Sequence, residues 1–177
     1  MPAAMLDSET LGVTDDAVIL TLGIVKFDPY TLDEPYDPFY LKIDIVEQQE
    51  KGRTIDPGTV EWWGTQPQEA QDEALGDDDR ISMIEVTKRI NKYLVGVDKI
   101  WAQGPIFDIS KLEHFYRSLG IPVPWNYWQI RDARTVGDMG DNSLKKENKL
   151  AHNALADAYC QAIAVQHIYA ELKITRR

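Results

Sequence analysis

The chain is poor in the residues that most often announce a function: it has one cysteine, Cys160, three histidines, and 19 Lys and Arg against 29 Asp and Glu. A single cysteine forms no internal disulfide, and Cys160 lies within a helical pattern where it reads as a small core filler. The net charge of -10 argues against a protein that holds nucleic acid through a broad basic surface. No long apolar run is present. The longest, residues 17–25, is interrupted by Thr21 and Gly23 and falls short of the roughly 20 residues a bilayer crossing needs. The first Lys or Arg is Lys26, so the basic start of a secretory signal is missing and a cytoplasmic protein with no membrane partner is the expectation.

What is present is a composition of 44% hydrophobic and 27% charged residues in 177, which fits one globular domain over residues 1–177 with a substantial core. An acidic balance is compatible with chemistry on nucleic acid when bound divalent cations supply the positive field and the protein supplies carboxylates to hold them. The cationic residues are also unevenly placed. Arg131, Arg134, Lys145, Lys146 and Lys149 fall within 19 positions and form either a solvated loop or a phosphate-facing rim.

The pattern of elements predicts a mixed-sheet α/β domain. Met5 and Leu6 precede Asp7 as the end of a short strand, residues 17–28 are β-rich and end at Asp28-Pro29, and residues 39–45 alternate with period two. Three strands in quick succession favour an antiparallel meander. Asp56-Pro57 then opens a short helix through Trp62, Trp63 and Gln66, and the acidic stretch 68–80 reads as solvated helix and loop. Ser82 with Glu85 forms a capping box for a further helix, residues 99–102 make a fourth strand, and residues 107–119 make a helix stopped by Gly120. Residues 127–130 are the candidate fifth strand, and Asn153 caps a last helix running to about Leu172.

Polar residues gather at the ends of these elements. Asp7-Ser8-Glu9 is the only D-x-E in the chain, and strand alternation puts its two acids on one face, where they can converge on a cation. Asp108 follows the fourth strand at a strand-to-helix junction. His152 and Asp157 form the only H-x4-D. Five residues along one helix are separated by about 140°, so the two share a site only if His152 sits in the loop before the Asn153 cap. Trp62 and Trp63 differ by about 100° on their helix, so one can pack inward while the other faces elsewhere.

Together these residues resemble the DEDD 3'-5' exonucleases, in the subtype whose last motif carries histidine (DEDDh). Residues 7–12 (Asp-Ser-Glu-Thr-Leu-Gly) are similar to the first motif, Phe107-Asp108 to the second, and residues 152–157 (His-Asn-Ala-Leu-Ala-Asp) to the third. The segment 52–57 (Gly-Arg-Thr-Ile-Asp-Pro), with Val60, Trp62, Trp63 and Gln66, is similar to the branch of phage DexA-type single-strand exodeoxyribonucleases and related bacterial exoribonucleases, as is residues 131–135. The likeness runs from residue 5 to about 170. Two departures stand out: Ser8 occupies a position where the pattern has an apolar residue, and Gly104-Pro105 replaces a small polar pairing before Phe107.

The resemblance implies an RNase H-like fold with a mixed five-stranded sheet flanked by helices. It implies two divalent cations, Mg²⁺ or Mn²⁺, held by Asp7, Glu9 and Asp157 directly and by Asp108 directly or through water, with His152 as general base. Thr10 and Leu11 would contact the terminal nucleotide, one of Trp62 and Trp63 would stack on a base, Gln66 would lie in the substrate region, and Arg134 would meet a phosphate. The expected partner is a single-stranded nucleic acid 3' end, DNA before RNA, in the host cytoplasm if the chain is phage-encoded. A catalytically silent binding or assembly protein on the same fold is the reading from another class.

Overall fold

The computed structural model describes residues 2–141 and 152–176. Its sheet is built on β1 (Ala3–Thr10) and β2 (Ile19–Phe27), which pair antiparallel with Asp7 opposite Gly23. β3 (Tyr36–Ile43) continues the meander antiparallel to β2, and β5 (Lys99–Ala102) and β6 (Ile130–Asp132) extend the other edge parallel to β1. β4 (Arg80–Ile81) pairs parallel to the outer edge of β3, giving the order β4-β3-β2-β1-β5-β6.

The alternation of β1 sorts the core into two layers. Ala4 and Leu6 point to one face with Ile24, Leu41 and Ile43, where they meet Val86 and Ile90 of α4 (Met83–Tyr93) and Leu112 and Phe115 of α5 (Pro105–Ser118). Ala3 and Met5 point to the other with Val25, Phe27 and Trp101, where they meet Ala158, Ala162 and Val165 of α7 (Ala154–Glu171). A third cluster lies beyond the tip of β1, where Leu11, Val18 and Leu20 enclose Trp63 of α2 (Pro57–Trp63). Among the described residues no helix is long and apolar enough to cross a membrane.

The expected caps are in place. Asp56 Oδ2 accepts from the Thr59 amide at 2.8 Å, Ser82 Oγ from the Glu85 amide at 3.4 Å, and Asn153 Oδ1 from the Ala156 amide at 3.0 Å, each satisfying a donor that the first helical turn leaves without a partner. α3 (Gln68–Leu75) forms within the acidic stretch.

Four expectations need correction. The first strand does not end before Asp7 but runs on to Thr10, because residues 7–10 stay paired with β2, Glu9 opposite Thr21. The sheet has six strands rather than five, because Arg80 carries a strand too short to show a period. Its guanidinium donates to the carbonyls of Leu20, Ile43 and Ala74 at 3.2, 2.9 and 2.8 Å. The third strand ends at Ile43 because Asp44 Oδ1 accepts from the Glu47 amide at 2.8 Å and opens α1 (Ile45–Glu50). The last strand starts at Ile130, after a turn of 3-10 helix at Tyr127–Gln129 closed reciprocally by Asn126 and Gln129. Asp132 at its end caps α6 (Ala133–Gly137), which sequence pattern alone did not reveal.

Candidate active site

Beyond Leu6 the alternation of β1 continues in polar residues, so Asp7 and Glu9 lie on the α7 face and Ser8 on the α5 face. Asp157, in the first turn of α7, reaches the same place, and one carboxylate oxygen from each of Asp7, Glu9 and Asp157 can be chosen with all three within 4.8 Å of one another. What brings the helix so near is a missing side chain. A Cβ on Gly23, the partner of Asp7 on β2, would lie 2.2 Å from the Leu155 amide nitrogen and 2.3 Å from the Ala154 carbonyl carbon, so only glycine lets α7 cross there.

The cleft desolvates these acids, and their like charges repel. Burial, then Asp108, Glu9 and Asp157, push the Asp7 carboxyl well above its usual range, while the Gln161 hydrogen bond opposes the shift. Burial, with Asp157 and Asp108, raises Glu9 to about 8. Gln161, one turn beyond Asp157 on α7, donates from Nε2 to Asp7 Oδ1 at 2.8 Å, while its Oε1 is buried with no hydrogen-bond partner among the described residues.

Asp108 reaches the site from the other face. Gly104 adopts φ +88° and Pro105 starts α5, which puts Asp108 in the first turn, 3% exposed. Its Oδ1 accepts from Ser8 Oγ at 2.6 Å, and it stands outside the three-acid grouping. Burial raises its carboxyl, and Ser8, Lys111 and Arg134 act against that rise.

His152 precedes the helix in a turn with φ +66°, a left-handed conformation uncommon outside glycine and asparagine. It therefore lies off the helical path, and its ring meets Trp62 edge-on at 5.0 Å between centroids and Trp63 at 6.1 Å. A cavity of about 340 Å³ is lined by Asp7, Glu9, Asp108, Arg134, His152 and Asp157. An adjoining one of about 360 Å³ shares Ser8, Glu9 and Phe107 and is lined further by Thr10, Val13, Asp56 and Trp62.

Of the expected substrate contacts, Thr10, Trp62 and Arg134 line these cavities, and Leu11, Trp63 and Gln66 do not. Trp63 is 1% exposed and donates from Nε1 to the Thr10 carbonyl at 3.0 Å, leaving Trp62, 43% exposed, as the aromatic that faces outward. Leu11 is in the core beneath, and Gln66 donates to the Trp62 carbonyl at 3.2 Å in the turn after α2. The 52–57 motif is a seam. Backbone bonds join Val18 to Thr54, Thr54 to Asp16 and Asp56 to Leu11, and the buried Arg53 guanidinium donates to the Ala17 carbonyl and contacts His114 Nδ1 at 2.9 Å. Of the cationic tract, Arg134 lines the site. Arg131 Nη1 donates instead to the carbonyls of Trp128 and Ile130 at 2.8 and 2.7 Å, and Lys145, Lys146 and Lys149 lie outside the described residues.

With this geometry in place the comparisons decide the family. The family model for the 3'-5' exoribonuclease Rv2179c-like domain matches residues 2–169. The chain belongs to that family. An exodeoxyribonuclease of Enterobacteria phage T4 is 27% identical over 187 residues, covering 86% of this chain and 82% of the phage protein. The nuclease domain of 3'hExo, a DEDDh family member solved with rAMP, superposes with a TM-score of 0.63 at 13% identity, covering 96% of this chain and 92% of that one. The RNase domain of yeast Pop2 gives 0.50 at 13% identity, covering 97% and 75%. The fold is thus the α/β, RNase H-like one, and the chain is a DEDD-type 3'-5' exonuclease, a hydrolase acting on nucleic acid.

Proposed function

We propose that this exonuclease depends on two divalent cations, Mg²⁺ or Mn²⁺, and releases nucleoside 5'-monophosphates from the 3' end of single-stranded DNA. The observation that carries the reading is the convergence of Asp7, Glu9 and Asp157 within 4.8 Å. The donor set fits the cations: three carboxylates suit a hard ion, and burial followed by mutual repulsion raises Asp7 and Glu9, a cost that a bound cation would offset. When bound, such ions polarise the scissile phosphate, acidify water and stabilise the leaving oxygen of an in-line displacement.

The side chains do the rest. Asp7, Glu9 and Asp157 hold the ions, with Asp108 acting beside them. His152 takes the proton of the water whose oxygen attacks the last phosphorus, and the bond from that phosphorus to the 3' oxygen breaks, leaving a 5'-monophosphate and a shortened strand. Trp62 offers its exposed face to the terminal base, Thr10 lines the nucleotide cavity, and Arg134 meets a phosphate.

The second reading is RNA as substrate, favoured by the exoribonuclease description of the family, where the T4 relative favours DNA. A single hydrogen bond to a 2'-hydroxyl can decide between them. The test is digestion of 5'-labelled DNA and RNA oligonucleotides of one sequence with Mg²⁺, Mn²⁺ or EDTA. Mononucleotide release with either ion, none in EDTA, and faster loss of DNA are expected. Faster loss of RNA reverses the substrate assignment, and full activity in EDTA ends the cation reading.

A further inference from the structure

The structure assigns Ser8 as a positioning residue for Asp108: its hydroxyl fixes one carboxylate oxygen so that the other is presented to the cation site. The inference rests on the cation reading above and concerns the residue standing where the DEDD pattern carries an apolar side chain. Ser8 is 6% exposed and Asp108 3%, and their 2.6 Å hydrogen bond spans 100 residues of sequence. Such a bond between buried groups, with the acceptor charged, is among the stronger polar contacts in a protein.

Geometry makes Ser8 the residue able to do this. The alternation of β1 turns it away from Asp7 and Glu9, toward α5, whose first turn carries Asp108. Lys111 and Arg134 act on Asp108 through their charge, but the Lys111 ammonium donates to the Val13 and Phe107 carbonyls at 3.1 and 3.4 Å, and the Arg134 guanidinium to the Gln103 carbonyl at 3.4 Å. Ser8 supplies the side-chain hydrogen bond that orients the carboxylate. With Oδ1 engaged there, rotation about the terminal bond of Asp108 is restricted, and Oδ2 is the oxygen left for a cation or its water. An alanine or an apolar residue at position 8 keeps the backbone hydrogen bond of that residue to the carboxylate and loses the one from the hydroxyl, so Asp108 is held by one bond where it had two.

The partners that orient a ligand typically govern about 10–100-fold in metal affinity or activity. The experiment is calorimetric titration of Mn²⁺ into wild type, Ser8→Ala and Ser8→Thr without substrate, joined to kcat and KM on one oligonucleotide. Ser8→Ala is expected to bind Mn²⁺ about 10–100-fold more weakly and to lose kcat over the same range. KM stays near wild type, and Ser8→Thr, which restores the hydroxyl, recovers both losses. If Ser8→Ala lowers only the melting temperature and leaves the Mn²⁺ isotherm and kcat unchanged, the bond serves stability alone and the assignment is overturned. If wild type itself takes up no Mn²⁺, the cation reading fails and the assignment with it, an outcome distinct from the first.

Discussion

The two faces of the tip of β1 solve opposite electrostatic problems. On the α5 face, Asp108 is buried but answered by the Ser8 hydroxyl and by the charges of Lys111 and Arg134. On the α7 face, Asp7, Glu9 and Asp157 crowd together, and the hydrogen bond recorded to Asp7 comes from the neutral Gln161. Desolvating a charge costs several kcal/mol per ion after relaxation, and here burial and mutual repulsion raise Asp7 and Glu9, a cost that a bound cation would offset. On the α5 face the protein itself opposes the burial of Asp108, whose carboxyl still stands raised to about 6, and on the α7 face the proposed cation takes that part.

The most drastic way to break the contrast is to remove an acid from the α7 face. Asp7→Ala should reduce mononucleotide release below detection and, by relieving repulsion, leave the cation-free protein at least as stable as wild type. Activity assays and thermal melts in EDTA check both parts. Next comes His152, which meets the indole rings of Trp62 and Trp63 and lines the cavity without joining the acid cluster. His152→Ala should lose about 10²–10⁴-fold in kcat, with Mn²⁺ affinity unchanged by calorimetry. An equal fall in Mn²⁺ affinity would place the ring among the ligands.

A smaller effect follows from the gap that brings the two sides of the cluster together. Gly23→Ala would drive a methyl into the backbone of α7, and overpacking of this kind costs about 1–3 kcal/mol. Chemical denaturation should show that loss, and Mn²⁺ binding should weaken because Asp157 moves with its helix.

These cases also show what the sequence could carry. Asp7, Glu9, Asp157 and the position of His152 before the Asn153 cap were legible because strand period and helix angle are local rules, and each residue lies beside an element end that the sequence marks. Ser8 and Gly23 were visible only as a departure from a pattern and as a break in an apolar run. Their roles depend on partners 100 and 132 positions away, which no local period encodes. The choice between Trp62 and Trp63 needed the Thr10 carbonyl to settle which indole turns inward. The resemblance implied a nucleotide contact for Leu11 and a place in the substrate region for Gln66, and the structure has Leu11 in the core around Trp63 and Gln66 in the turn after α2. The two-residue strand at Arg80 is held by its own side chain's bonds to three carbonyls, a cause that hydrophobic alternation does not register.

Whether a cation completes the α7 face is tested most directly by melting temperature against pH with and without Mn²⁺. Glu9 gives up its proton near 8 in the folded chain against a reference of 4.5, and Asp7 is displaced in the same direction. Between those values the folded state holds protons that the unfolded state has released, so these groups make the cation-free protein less stable as pH rises from about 4.5 to 8. Asp16, Asp56, Glu85 and Asp132 are shifted below their reference values of 3.8 to 4.5 and act under that window. Lys111, lowered to about 8 from 10.5, acts above it. The melting temperature in EDTA should fall across pH 5 to 8, and the increment given by Mn²⁺ should grow over the same range as the carboxylates become free to bind. A melting temperature that stays level in EDTA, with no increment from Mn²⁺ at pH 8, would contradict completion of the α7 face by a cation.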